Sequence, residues 1–194
     1  MNLPNKLTLL RVALIPFFLI FMYIGVPFHY LIALVIFSAA SITDALDGKI
    51  ARARNLVTNF GKFLDPLADK VLVLSALAVF TEIPEIHVGA IPLIIISARE
   101  FMVSGLRLLA ANSGVVVAAG MWGKLKTAFT MIAIIASLVW LSVCYDFGFS
   151  LPPAMITAVD SLIIPLLIWI SAALTIISGL VYLKGYWHLI DSDK

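Results

Sequence analysis

Charge is scarce in this chain. Only 12% of its 194 residues are Asp, Glu, Lys or Arg, 62% are hydrophobic, and the mean hydropathy is +1.10. Soluble domains are about 25% charged, so the apolar excess has to face lipid. Cysteine is nearly absent: Cys144 stands alone, which excludes an intrachain disulfide and a thiolate metal cluster. The net charge of +2 excludes the strong global field expected of a nucleic-acid binder. Internal repeats, low-complexity stretches and linkers are also missing, so residues 1–194 read as a single membrane domain.

What the chain has instead is apolar runs. A bilayer core about 30 Å thick takes roughly 20 apolar residues per helix. Six runs meet that need, at about Leu9–Val26, Tyr30–Arg54, Gly61–Thr81, Val88–Ala110, Trp122–Tyr145 and Ala158–Leu183. The expected fold is all-α and polytopic, with six transmembrane helices and a short interfacial helix at the N-terminus. Lys6 and Arg11 followed by "VALIPFFLIFMYIG" has the outline of a signal peptide, but no small-x-small site lies near Met22–Phe28. The segment therefore reads as a retained first span. Lys and Arg cluster at alternate turns, around 49–62 and 107–126 and near both ends. The opposite turns hold only Glu82, Glu85, Asp146, Asp160, His29 and His87 as ionisable groups. By the positive-inside rule both termini belong in the cytoplasm. Trp122 and Trp187 fall where interfacial anchors belong.

Within this apolar chain, "SITDALDGKIARARNLVTNFGKFLDPLADK" concentrates four aspartates, Asp44, Asp47, Asp65 and Asp69. The first two are three apart at the end of the second run, the others four apart at the start of the third. Such pairs share one helix face, and a short turn makes the two helices antiparallel neighbours. Four carboxylates then converge. Carboxylates in a poorly solvated site are expensive and functional by default. Hard divalent cations prefer oxygen donors and bridge carboxylates to phosphates, and two of them form a clamp for displacement at phosphorus. Gly48 and Ala51 continue one acidic face and Gly61 the other, so a ligand can come close.

The string Asp44-x2-Asp47-Gly48-x2-Ala51-Arg52-x8-Gly61-x3-Asp65-x3-Asp69 resembles the signature of the CDP-alcohol phosphatidyltransferases. The resemblance implies a six-helix membrane bundle, a homodimer, and a reaction in which an alcohol attacks the lipid-linked phosphorus of a CDP-lipid and CMP leaves. It also implies two divalent cations, Mg2+ or Mn2+, with Asp44, Asp47 and Asp65 as principal ligands. Asp69 takes the general-base position, near enough to approach a metal as well. Gly48, Ala51, Arg52 and Gly61 are the implied donor-binding positions.

Three further stretches, "NLPNKLTLLRVALIP", "SAREFMVSGLR" and "GKLKT", resemble those of the family's bacterial members that use glycerol 3-phosphate as acceptor and CDP-diacylglycerol as donor. The expected setting is phospholipid biosynthesis in the bacterial cytoplasmic membrane, with the site facing the cytoplasm. A phosphorylated acceptor needs cations apart from the metals, and Arg107, Lys124 and Lys126 are the candidates. Arg99, beside Glu100 inside the fourth run, has a phosphate, an aspartate or a structural ion pair as possible partners. Asn5, Thr8 and Arg11 are candidate nucleotide contacts, with membrane anchoring as the competing reading. Inositol phosphate, inositol or serine as acceptor, and a divalent-ion transporter, are the rival functions. A transporter needs polar residues at every depth, whereas the outer halves of these runs are almost wholly apolar.

Overall fold

The computed structural model describes residues 3–53, 59–112 and 120–187, without the side chains of 3–4, 45–53, 59–63, 65 and 111–112. All described regular structure is helical: α1 Leu3–Tyr23, α2 His29–Ala53, α3 Asn59–Glu82, α4 Ile91–Asn112, α5 Met121–Leu141, α6 Pro153–Ala158 and α7 Ile164–Tyr186. A π-helical turn, Ser142–Asp146, extends α5, and another, Val159–Ile163, joins α6 to α7. Proline sits at the first position of α6 and the second of α4, where its missing N–H has no helical acceptor to lose. The wide turn 159–163 lies just before Pro165, whose ring cannot accept the standard helical geometry behind it.

Among the described residues, three helical stretches are long and apolar enough to cross a membrane: Asn5–Tyr23, Met121–Asp146 and Pro153–Tyr186. Among the residues described with side chains, α2 contributes a shorter apolar stretch, His29–Asp44. Large apolar side chains point outward along the helices, among them Phe17, Val35, Ile94, Phe101, Ile132 and Leu180, each at least half exposed. Such a surface is tolerated only where lipid or another apolar face covers it. These features fit an integral membrane protein.

Among the described residues, no separate short helix precedes the first span. Leu3–Tyr23 is one helix that begins well before the apolar run. Its inward stripe is Asn5, Thr8, Arg11, Ile15, Phe18 and Met22, spaced three or four apart as a helix face requires. The first half of that stripe is polar, so hydropathy averages place the helix start too late, although those residues are as buried as the apolar half.

The chain divides into two compact units, residues 1–82 with 134–156, and residues 83–133 with 157–194. In the first unit α1 packs on α2 and α3. Arg11 meets Asp44 and Phe18 meets Phe37, so α1 and α2 run antiparallel. Ala33 and Ala40 flank Phe37 on the buried face of α2, and these small residues let the helices approach closely. At the other end, Asp146 caps α2: its carboxylate accepts the N–H groups of Leu31 at 2.6 Å and Tyr30 at 3.4 Å. A helix N-terminus carries unpaired donors and partial positive charge, and both are met by this anion.

In the second unit α4 packs on α7. Ile96, Arg99, Val103, Leu106 and Ala110 form the buried stripe of α4; Ile164, Ile168, Ser171, Thr175, Ser178 and Tyr182 form that of α7. Both alternate spacings of three and four, the pattern of a two-helix seam. Arg99 reaches Ser178 and Arg107 reaches Tyr182, so these helices run in the same sense. The α5 segment of this unit runs against α7, with Gly120 at Tyr182 and Thr130 hydrogen-bonded to Ser171.

Candidate active site

The first unit holds the acidic motif. Asp44, Asp47, Gly48, Ala51 and Arg52 lie on the last turns of α2; Gly61, Asp65 and Asp69 lie on the first turns of α3. The two helices touch, and each aspartate pair occupies one helix face by its spacing. The side chains of Asp47, Arg52 and Asp65, and the close packing expected of Gly48, Ala51 and Gly61, lie outside the described residues. Asp69 is half-buried.

Asp44 is held by Arg11. The guanidinium Nη1 lies 2.7 Å from the carboxylate Oδ1; Arg11 is fully buried, whereas the Asp44 side chain is 42% exposed. The burial is lopsided. A buried guanidinium fixes one oxygen of Asp44 and offsets its charge, while the exposed side of the carboxylate stays open to a hydrated cation. Among the described residues no three His, Cys, Asp or Glu side chains gather into a metal-sized group, but two of the four motif carboxylates fall outside that description. The donor set itself, four carboxylates and no nitrogen or sulfur, fits a hard oxygen-seeking cation such as Mg2+ or Mn2+. Asn5 and Thr8 lie on the same buried stripe as Arg11, at 7% and 1% exposure. They are buried in protein, beside the arginine that meets Asp44.

The second unit holds the basic cluster. Arg99 is the buried arginine of α4, and its partners are now defined. Nη1 donates to Glu100 Oε1 at 3.2 Å and Nη2 to Ser178 Oγ at 2.7 Å, with Tyr182 presenting its ring 5.4 Å from the guanidinium carbon. The structural ion pair expected for Arg99 is present, with Glu100. Gly179 makes room for it, since a Cβ there would lie 3.1 Å from Arg99 Cγ. Lys126 pairs with the same Glu100 oxygen. Glu100 thus neutralises two nearly buried cations, which lowers the penalty of keeping them away from water. Arg107 and Lys124 are exposed. The four predicted cations therefore split: Arg99 and Lys126 are internal, Arg107 and Lys124 are open. Arg107 is steadied by Tyr182, whose hydroxyl accepts from Nη2 at 2.9 Å and from the Gly120 N–H at 3.2 Å.

Two features are missing from the sequence expectations. Arg11 is a nucleotide-contact candidate there, and only folding reveals it as the partner of Asp44, 33 positions away. Ser171, Thr175, Ser178 and Tyr182 lie in the most apolar run, yet their spacing of four, three and four marks one polar helix face. That spacing is the signal that could have found them.

Comparison with known proteins agrees with the motif. The sequence profile of the CDP-alcohol phosphatidyltransferase family matches residues 1–177. The CDP-diacylglycerol–glycerol-3-phosphate 3-phosphatidyltransferase of Bacillus subtilis strain 168 is 41% identical, covering 100% of this chain and 99% of its own. The protein of the same name from Rickettsia bellii is 41% identical, with 95% and 94% covered. That from Escherichia coli K12 is 43% identical over 72% of this chain and 77% of its own. With the acidic motif placed on two touching helices and a family profile spanning most of its length, the chain belongs to the CDP-alcohol phosphatidyltransferase family.

Proposed function

We propose that this protein transfers the phosphatidyl group of CDP-diacylglycerol to glycerol 3-phosphate, forming phosphatidylglycerophosphate and CMP. The observation that carries this reading is the full-length similarity to relatives bearing that activity in their name, combined with the complete Asp44–Asp69 motif. In the proposed setting the protein is a six-span homodimer in the bacterial cytoplasmic membrane, with termini and site on the cytoplasmic side. The distribution of Lys and Arg supports that orientation.

Asp44, Asp47, Asp65 and Asp69 are the residues that would hold two divalent cations. When bound, such cations neutralise a diphosphate and stabilise CMP as a leaving group. Arg11 fixes the rotamer of Asp44 through the 2.7 Å pair, so one ligand of the site is oriented before substrate arrives. Asp69 accepts the proton of the acceptor hydroxyl. The hydroxyl oxygen forms a bond to the lipid-linked phosphorus, the bond from that phosphorus to the CMP oxygen breaks, and CMP departs with the electron pair. Gly48, Ala51, Arg52 and Gly61 line the approach of the nucleotide, with Asn5 and Thr8 behind Asp44. Arg107 and Lys124 receive the acceptor's phosphate, one as a planar fork and the other as a point charge. Lys126 and Arg99, already neutralised by Glu100, support that site from within.

The test is an acceptor panel. Purified protein in detergent micelles with CDP-diacylglycerol and Mg2+ receives glycerol 3-phosphate, inositol phosphate, inositol or serine in separate reactions. CMP release with glycerol 3-phosphate alone is the expected result. Release with inositol phosphate and none with glycerol 3-phosphate overturns the acceptor.

A further inference from the structure

The last helix enters neither the acidic motif nor the stretches that point to the acceptor, yet one of its residues ties two acceptor-side elements together. Tyr182 is 4% exposed, at the end of the buried polar stripe Ser171, Thr175 and Ser178. Its hydroxyl oxygen accepts Arg107 Nη2 at 2.9 Å and the Gly120 N–H at 3.2 Å. Its ring lies 5.6 Å from the Arg107 guanidinium carbon and 5.4 Å from that of Arg99. The same side chain therefore holds an exposed arginine of α4 and the residue from which α5 begins, the helix that carries Lys124 and Lys126.

A guanidinium has five N–H donors in a fixed fork. The Tyr182 hydroxyl engages one amino group of Arg107 and leaves other donors for a ligand. An exposed arginine samples many rotamers, and ordering it opposes binding. A buried tyrosine that fixes its orientation in advance lowers that opposition. The contact to Gly120 extends the effect to the first turn of α5.

We propose that Tyr182 is a positioning residue for the acceptor: it holds Arg107 and the start of α5 in the arrangement that receives the phosphate of a phosphorylated alcohol. This rests on the assignment of Arg107 to the acceptor's phosphate. Tyr182 touches no reacting atom and acts through Arg107, so its influence belongs in acceptor binding rather than in the chemical step.

Tyr182→Phe removes the hydroxyl and keeps the ring beneath both guanidiniums. With Mg2+ and saturating CDP-diacylglycerol, KM for glycerol 3-phosphate rises about tenfold, the loss expected for one hydrogen bond to a charged donor. KM for CDP-diacylglycerol and kcat stay within about twofold. The melting temperature in micelles is recorded for every variant, to separate positioning from folding. An unchanged KM for glycerol 3-phosphate, or a loss confined to kcat that follows a lowered melting temperature, overturns the proposal. A double-mutant cycle with Arg107→Lys adds a second measurement. Because Tyr182 acts through Arg107, Tyr182→Phe in the Arg107→Lys background raises KM by less than about threefold. A full further tenfold rise there overturns the proposal. Wild-type protein that turns over another phosphorylated alcohol and not glycerol 3-phosphate defeats the acceptor assignment alone, and the same comparison is then made with that alcohol. Turnover only with a phosphate-free acceptor defeats both.

Discussion

Asp44→Ala and Arg11→Met break the same ion pair from opposite ends, and the structure predicts unequal consequences. Arg11 is fully buried and Asp44 is 42% exposed. Removing Asp44 takes one carboxylate partner away from a buried guanidinium, a change that destabilises by about 3–5 kcal/mol when both members are buried. Because Asp44 lies partly in solvent, water can enter the gap it leaves, and the lower end, about 3 kcal/mol, applies. Removing Arg11 instead leaves a carboxylate that water already reaches. Met fills much of the vacated space, so the loss is about 1 kcal/mol, the scale of an exposed pair. The double variant should resemble Arg11→Met, about 2 kcal/mol more stable than Asp44→Ala, which is a coupling of about 3 kcal/mol in a mutant cycle. Unfolding in detergent micelles with chelator present measures the fold without metal. Equal losses for the two single variants, or a larger one for Arg11→Met, would refute the claim that Arg11 is the buried member whose charge must be matched.

Asp69→Asn preserves shape and removes the proton acceptor, so CMP release should fall about a thousandfold, within the range for general-base catalysis, while the melting temperature holds. Normal turnover in that variant removes Asp69 from the base role. Chelation should abolish activity, with Mg2+ or Mn2+ restoring it and Ca2+ restoring little because its coordination is larger and looser; full activity in excess chelator contradicts the four-carboxylate scheme. Glu100→Gln leaves Arg99 and Lys126, whose side chains are each 9% exposed, without their shared countercharge. Its expected destabilisation is about 3 kcal/mol or more, and a loss below about 1 kcal/mol in micelle unfolding argues against Glu100 as the hub of that cluster.

Much of this architecture is legible before folding, because lipid imposes simple rules. Apolar runs of about 20 residues mark α1, α5 and α7, and the helices α2, α3 and α4 appear close to their expected places despite the charges they carry. The acidic motif is legible because i,i+3 and i,i+4 spacing is a local property of a helix. Legibility fails where partners are distant in sequence. Nothing local ties Arg11 to Asp44, and the polar start of α1 disguises a buried stripe as an interfacial segment. Lys126 looks like a free phosphate ligand until α5 packs in the second unit, where it meets Glu100. Arg99 and Glu100 are neighbours about 100° apart around the helix, an unpromising pair on paper. The long arginine side chain still reaches back to 3.2 Å. The π turns at Ser142–Asp146 and Val159–Ile163 leave no mark in hydropathy, although Pro165 sits two residues beyond the second.

The most direct measurement is the identity of the products from CDP-diacylglycerol and glycerol 3-phosphate, read by mass spectrometry. Attack at the lipid-linked phosphorus yields phosphatidylglycerophosphate and CMP in equal amounts, dependent on glycerol 3-phosphate and lost in Asp69→Asn. Formation of phosphatidate with a cytidylylated glycerol phosphate, or of no lipid that depends on glycerol 3-phosphate, would contradict the account.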